Sequence, residues 1–177
     1  MISLLPFDAV PKGLLDFLRE EIALRFGGEV WIGDSLTIPE GAYDRNRNEF
    51  RSSIFLRVLE AGRGEEERRL GIVDAPLYNP ESDPVLAEVD RVDRVAIVSL
   101  APLHPGVERA PEDDSLFRTR LLKEGVHALG RTYPFDPCEN PKCVMHLSSS
   151  LDEIDRKSAD FCMVHQATLR QARLRHR

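Results

Sequence analysis

Three cysteines and a histidine carry the most specific chemistry in this chain. Cys138 and Cys143 are separated by four residues, and Cys162 is followed three positions later by His165. Thiolate and imidazole are ligands that zinc prefers, and two ligand pairs that each close a short loop are how a chain builds a closed tetrahedral site. The spacing therefore predicts a structural zinc held by Cys138, Cys143, Cys162 and His165. The competing expectation is three buried free thiols and a surface histidine, because cysteine also packs as a small apolar residue. Upstream, His127 and Arg131 stand at i and i+4, which puts them on one face of a helix.

The pattern Cys138-x4-Cys143-Val144-Met145, followed by Lys157-Ser158-Ala159-Asp160-Phe161-Cys162, resembles the archaemetzincins. These are metzincin-type zinc metalloproteases with a second, structural zinc. The resemblance implies a catalytic HExxHxxGxxH motif running directly into the first cysteine. Registered on Cys138, its positions fall on His127, Ala128, Arg131, Pro134 and Pro137. Only the first histidine stands. Ala128 replaces the general-base glutamate, Arg131 and Pro137 replace the other two zinc ligands, and Pro134 replaces the glycine. A second register takes Lys123-Glu124-Gly125-Val126-His127 as HExxH, with Gly130 as the glycine. It needs four extra residues before Cys138 and puts Tyr133 at the third ligand, so the first register is preferred. Neither supplies three zinc ligands. The resemblance also implies that Met145 is the methionine of the turn beneath the catalytic site, and that His165 takes the place of a fourth cysteine. Asp74–Tyr78 and Ala96–Leu103 are similar to pieces of the family's N-terminal half.

Arg131 is the decisive replacement. A guanidinium about 4 Å from a doubly charged ion is repelled by roughly 8 kcal/mol at an effective dielectric of 20. A metalloprotease needs its metal to polarise the scissile carbonyl and a carboxylate to move the proton. The expectation is thus a protease fold with one structural zinc and a catalytic zinc site that is impaired or absent. Such a protein would bind a peptide or protein along a sheet edge as an added strand. Two alternatives stay open. One is a working peptidase that recruits metal through His127 with Glu124, Asp136 or His146. The other is a zinc-finger-like interaction module using the Cys/His site and the basic tail Arg170–Arg177.

The rest of the chain must position these groups. At 177 residues, one domain with a real core is expected. A formal net charge of −6 argues against general affinity for nucleic acid. No apolar run approaches the ~18 residues of a membrane span. Three cysteines at metal-like spacing suit a reducing cytoplasm. Ile2–Phe7 predicts a strand, and Pro11 to Phe26 has helical spacing stopped by Gly27-Gly28. Glu29–Ile32 predicts a second strand, Pro39–Ala42 a turn, and Arg45 to Glu60 a second helix with Ile54, Phe55, Val58 and Leu59 inward. Arg69–Val73 and Arg94–Leu100 predict further strands, the latter central, with a loop between them. Asp113, Asp114 and Ser115 suit a helix start, and Leu116, Leu121, Leu122, Val126 and Leu129 would form that helix's apolar side. The alternation predicts an α/β fold: a metzincin-like single domain with a mixed twisted sheet, helices and a zinc-clamped C-terminal segment. Its sheet-containing part would span about 1–130, and its zinc-bound part about 131–177.

Overall fold

The computed structural model describes residues 1–65, 67–81, 85–104 and 114–174. Its scaffold is a five-stranded sheet in the order β2-β1-β5-β8-β7, formed by β1 (Ile2–Phe7), β2 (Val30–Ile32), β5 (Arg68–Val73), β7 (Ala87–Asp90) and β8 (Val95–Ser99). The first four strands in that order run parallel, and β7 closes one edge antiparallel to β8. Successive side chains of a strand point to opposite faces, so one strand feeds two cores. Leu4, Leu70, Ile72, Ala96 and Val98 face one side, where α1 (Lys12–Phe26) and α3 (Asp114–Arg131) pack. Phe7, Val73, Val95 and Ile97 face the other, under α2 (Ser52–Glu60). The segment Val95–Ser99, apolar up to its last residue, is fully buried, as expected of a strand paired on both sides.

Helix α1 follows its apolar spacing: Leu14, Leu15, Leu18, Ile22 and Phe26 are buried, while Leu24 is exposed. It stops at Gly27, whose left-handed backbone (φ 64°) turns its N–H onto the Ala23 carbonyl.

Three expectations need correction. The second helix begins at Ser52, not Arg45. Residues 43–51 instead form a small hairpin of β3 (Tyr43–Asp44) and β4 (Glu49–Arg51), which joins β6 (Leu77–Tyr78) in a second sheet. The reason is turn chemistry: the Asp44 carboxylate accepts from the backbone N–H groups of Asn46 and Arg47, and Asn48 takes a positive φ of 57°. The segment between Val73 and Val95 is also not a plain loop, since it contains β6 and β7. On α3, Phe117 rather than Leu116 is buried, together with Leu121, Leu122, Val126 and Leu129. The helix-start residue Asp113 lies outside the described residues, as do Arg175, His176 and Arg177 of the basic tail.

At the sheet centre, a Cβ added to Gly71 would lie 2.7 Å from Ile97 Cδ1, 2.8 Å from Leu59 Cδ1 and 3.1 Å from Phe7 Cε2. Overpacking of this kind costs about 1–3 kcal/mol. Gly71→Ala is therefore expected to lower the unfolding free energy from urea denaturation by that amount, read as a lower midpoint at an unchanged m-value.

Candidate functional site

Helix α3 carries a row of polar side chains that the protein buries. Arg120, Lys123, Glu124 and His127 are all buried, and their spacing places them along one helix face. Each is engaged by the segment after α3. The Arg120 guanidinium grips the Asp155 carboxylate with two bonds, at 2.8 and 2.6 Å. Lys123 Nζ donates to the carbonyls of Ile154 (2.9 Å) and Asp155 (3.0 Å). The Glu124 carboxylate lies 2.9 Å from Lys157 Nζ, with both side chains shielded from water. His127 Nδ1 lies 2.9 Å from the Val144 carbonyl. Asp155 lies in the short helix α4 (Leu151–Arg156) and Lys157 directly follows it; Ser150 caps the helix by accepting from the Glu153 N–H.

This bracket holds the cysteine loops in place. The chain leaves α3 through Tyr133, ahead of Pro134, with i→i+3 bonds from Thr132 to Leu129 and from Tyr133 to Gly130. Cys138 then donates its N–H to the Met145 carbonyl, and Val144 donates to Asp160. As a result Cys138, Cys143, Cys162 and His165 present ligand atoms all within 4.8 Å of one another. Cys138 Sγ is 3.8 Å from Cys162 Sγ, and His165 Nδ1 is 3.8 Å from Cys143 Sγ and 3.2 Å from Cys162 Sγ. A tetrahedron with zinc–sulfur bonds of about 2.3 Å has edges of roughly 3.8 Å. The donor set and its spacing fit a zinc ion.

The surroundings fit too. His165 Nε2 lies 3.1 Å from the Asp136 carbonyl, so an Nε2–H donates there and leaves Nδ1 free as the ligand nitrogen. The Cys162 N–H points to Cys143 Sγ at 3.3 Å. Burial pulls the Cys162 thiol up, but the His165 backbone and ring and the neighbouring thiols outweigh it, bringing it down to about 6. Burial pushes the Cys143 thiol up to about 11. Among the described residues, no other His, Cys, Asp and Glu side chains gather in this way.

The positions registered on the catalytic motif look different. His127 is buried, and burial pushes its pKa below the ordinary value despite the Glu124 carboxylate nearby, so the ring is neutral. Ala128 is fully buried in the core and brings no acid–base group. Arg131, Pro134 and Pro137 are exposed at the helix exit. Arg91, His127, Arg131, Pro137, Met145 and Leu147 line a cavity of about 50 Å³. One imidazole, two donor-only guanidiniums and a proline do not fit a zinc ion. The other ligand candidates are committed elsewhere. Glu124 is held by Lys157, and His146 Nδ1 lies 2.7 Å from the Cys138 carbonyl. Asp136 is exposed, and its backbone carbonyl serves His165. Met145 is buried against α3, where a Cβ on Gly130 would run into its sulfur. Sequence reasoning missed Arg91, which follows β7 and donates to the Phe135 carbonyl at 3.2 Å. Only the fold brings it beside His127, so no local pattern could have signalled it.

The Arg120–Asp155 pair gives a pH-dependent test. The Arg120 hydrogen bonds, working against burial, lower the Asp155 pKa from its ordinary 3.8. A carboxylate depressed on folding adds stability that is fully present above its unfolded pKa and is lost as pH falls through its folded one. Asp155→Asn is expected to cost about 1.5–3 kcal/mol at pH 7, since it removes the charge behind the two hydrogen bonds that the carboxylate accepts from Arg120. The gap between the two denaturation curves should narrow below pH 3.8.

Comparison with known proteins agrees with this architecture. Residues 67–171 match the model of peptidase family M54. The archaemetzincin of Pyrococcus abyssi is 35% identical over 169 residues, covering 92% of this chain and 90% of that protein. The crystal structure of archaemetzincin from Methanopyrus kandleri superposes with a TM-score of 0.82 at 33% identity, over 96% of this chain and 93% of that one. A structure described as a zinc-dependent peptidase from Methanocorpusculum labreanum gives 0.85 at 28% identity, over 96% and 100%. With the family model covering more than half of its residues and relatives matching nearly end to end, the chain belongs to the archaemetzincins, peptidase family M54.

Proposed function

We propose that this chain is a peptide-binding member of its family that holds one structural zinc and does not hydrolyse peptides through the family's catalytic cage. The observation that carries this reading is the company His127 keeps. Its Nδ1 is bonded to the Val144 carbonyl, and beside it stand Arg131 and Pro137 instead of ligands, with alanine at position 128. Without a metal cage nothing polarises the scissile carbonyl, and without a carboxylate at position 128 nothing there moves the proton.

Peptide binding finds support at the sheet edge. Strand β7 pairs only with β8 among the described residues, which leaves its outer backbone groups for an added strand. A cavity of about 670 Å³ opens near the start of this strand, with Leu77, Val85, Leu86, Pro102 and Leu151 in its wall. It offers room for an apolar peptide side chain. The structural zinc of Cys138, Cys143, Cys162 and His165 would then fasten the segment that walls both this cavity and the cavity beside His127. Metal bound by three thiolates and a neutral imidazole competes with protons, so acid should release it.

Elemental analysis of protein purified without chelator is expected to give one zinc per chain. Cys143→Ser should lose that zinc and lower Tm by roughly 10 °C, the shift for about 3–4 kcal/mol in a chain of this size. Peptide libraries should show binding, read as amide shifts along β7, without hydrolysis. Two zincs per chain, together with peptide cleavage that a chelator stops, would falsify the proposal.

A further inference from the structure

The cavity beside His127 has the wrong charge for a metal and the right charge for an anion. Arg91 and Arg131 both line it, and no carboxylate is among its lining residues. Arg91 spends one N–H on the Phe135 carbonyl, and among the described residues neither arginine is paired with an acid. The rest of the wall is apolar: Phe135, Pro137, Met145 and Leu147. Two guanidiniums against an apolar wall hold their field better than they would in open water. A guanidinium offers a planar fork of donors that matches the two oxygens of a carboxylate. At about 50 Å³ the cavity takes a group of a few heavy atoms and excludes a ring.

Its location supplies the source. Arg91 immediately follows Asp90, the last residue of β7, so a strand added along β7 would end at this cavity. We propose that the cavity lined by Arg91, Arg131 and His127 is a carboxylate-binding site, which takes the terminal carboxylate or an acidic side chain of a peptide lying on β7. This rests on the peptide-binding reading above for its ligand, but the anion site itself can be tested without any peptide. The same two arginines that keep a cation out thus become the recognition element.

The test begins with sodium acetate, titrated into the full-length protein at constant ionic strength while His127 side-chain resonances are followed. A saturable shift is expected, weakened at least fivefold in Arg131→Gln. Arg131 is exposed at the helix exit, so this variant should fold with unchanged Tm and zinc content. Arg91→Gln serves as the second variant and should weaken acetate in the same direction. The second arm uses library peptides that bind the protein, compared as free acids, as C-terminal amides and with each Glu replaced by Gln. A tenfold loss on amidation assigns the terminus, and a tenfold loss only on Glu→Gln assigns a side chain. An absent acetate response, or one that both arginine variants leave unchanged, overturns the site even if peptides bind. Inorganic phosphate binding tenfold tighter than acetate overturns the carboxylate assignment. An arginine-dependent acetate response with no peptide bound removes the peptide reading and the peptide source of the carboxylate, and leaves a free small carboxylate as the ligand.

Discussion

Burying charge on a helix is costly unless every charge meets a partner, and α3 buries a guanidinium, an ammonium and a carboxylate on one face. The rest of the C-terminal structure follows from how that cost is met. Arg120 takes Asp155, Lys123 takes the last carbonyls of α4, and Glu124 takes Lys157. None of these partners is local; each lies more than thirty positions along the chain. Without them the row would be among the most unfavourable stretches of the molecule. With them it is a bracket that fixes where residues 154–157 lie, and so where the cysteine loops that flank them come together.

The bracket and the metal ligands share backbone, which gives His127 a role independent of catalysis. Its Nδ1–H bonds the Val144 carbonyl, Val144 follows Cys143, and Val144 in turn donates to Asp160, two residues before Cys162. Met145 packs on Gly130 and accepts from the Cys138 N–H. A single turn therefore touches α3 with one side and both pairs of metal-ligand candidates with the other. That bond does not depend on any metal at His127, because it requires only a neutral ring.

This accounts for what could and could not be seen in the sequence. The four ligand candidates were legible because two cysteine–ligand pairs at short spacing are a local pattern. Strands β1 and β8 were legible because burial on both faces makes them largely apolar. The helix spacing of α1 and the glycine that ends it were equally plain. The β3–β4 hairpin was not, because its short strands carry little periodicity and its shape is set by the Asp44 side chain bonding to Asn46 and Arg47. Strand β7 was not, because its residues are all half-buried and mixed in character. The burial of Glu124 could not be read, because a helix sequence records which face a charge is on, not what will later cover that face. Arg91 was invisible for the same reason: its meaning lies in the sheet edge that brings it to His127.

The exchange of one thiolate for an imidazole at position 165 suits the place it occupies. Three thiolates and a neutral histidine around a zinc ion carry a net charge of −1, where four thiolates would carry −2. The site is partly buried, with the Phe135 ring edge-on to His165 at 5.3 Å, so the smaller charge is cheaper to remove from water. The histidine also gains a fixed orientation through the Asp136 carbonyl, which a cysteine could not use. The changes at the helix exit obey the same logic in reverse. With proline at position 137 and alanine at position 128, the guanidiniums of Arg91 and Arg131 line the space beside His127. One site gathers soft ligands that suit a metal; the other sets two guanidiniums against an apolar wall.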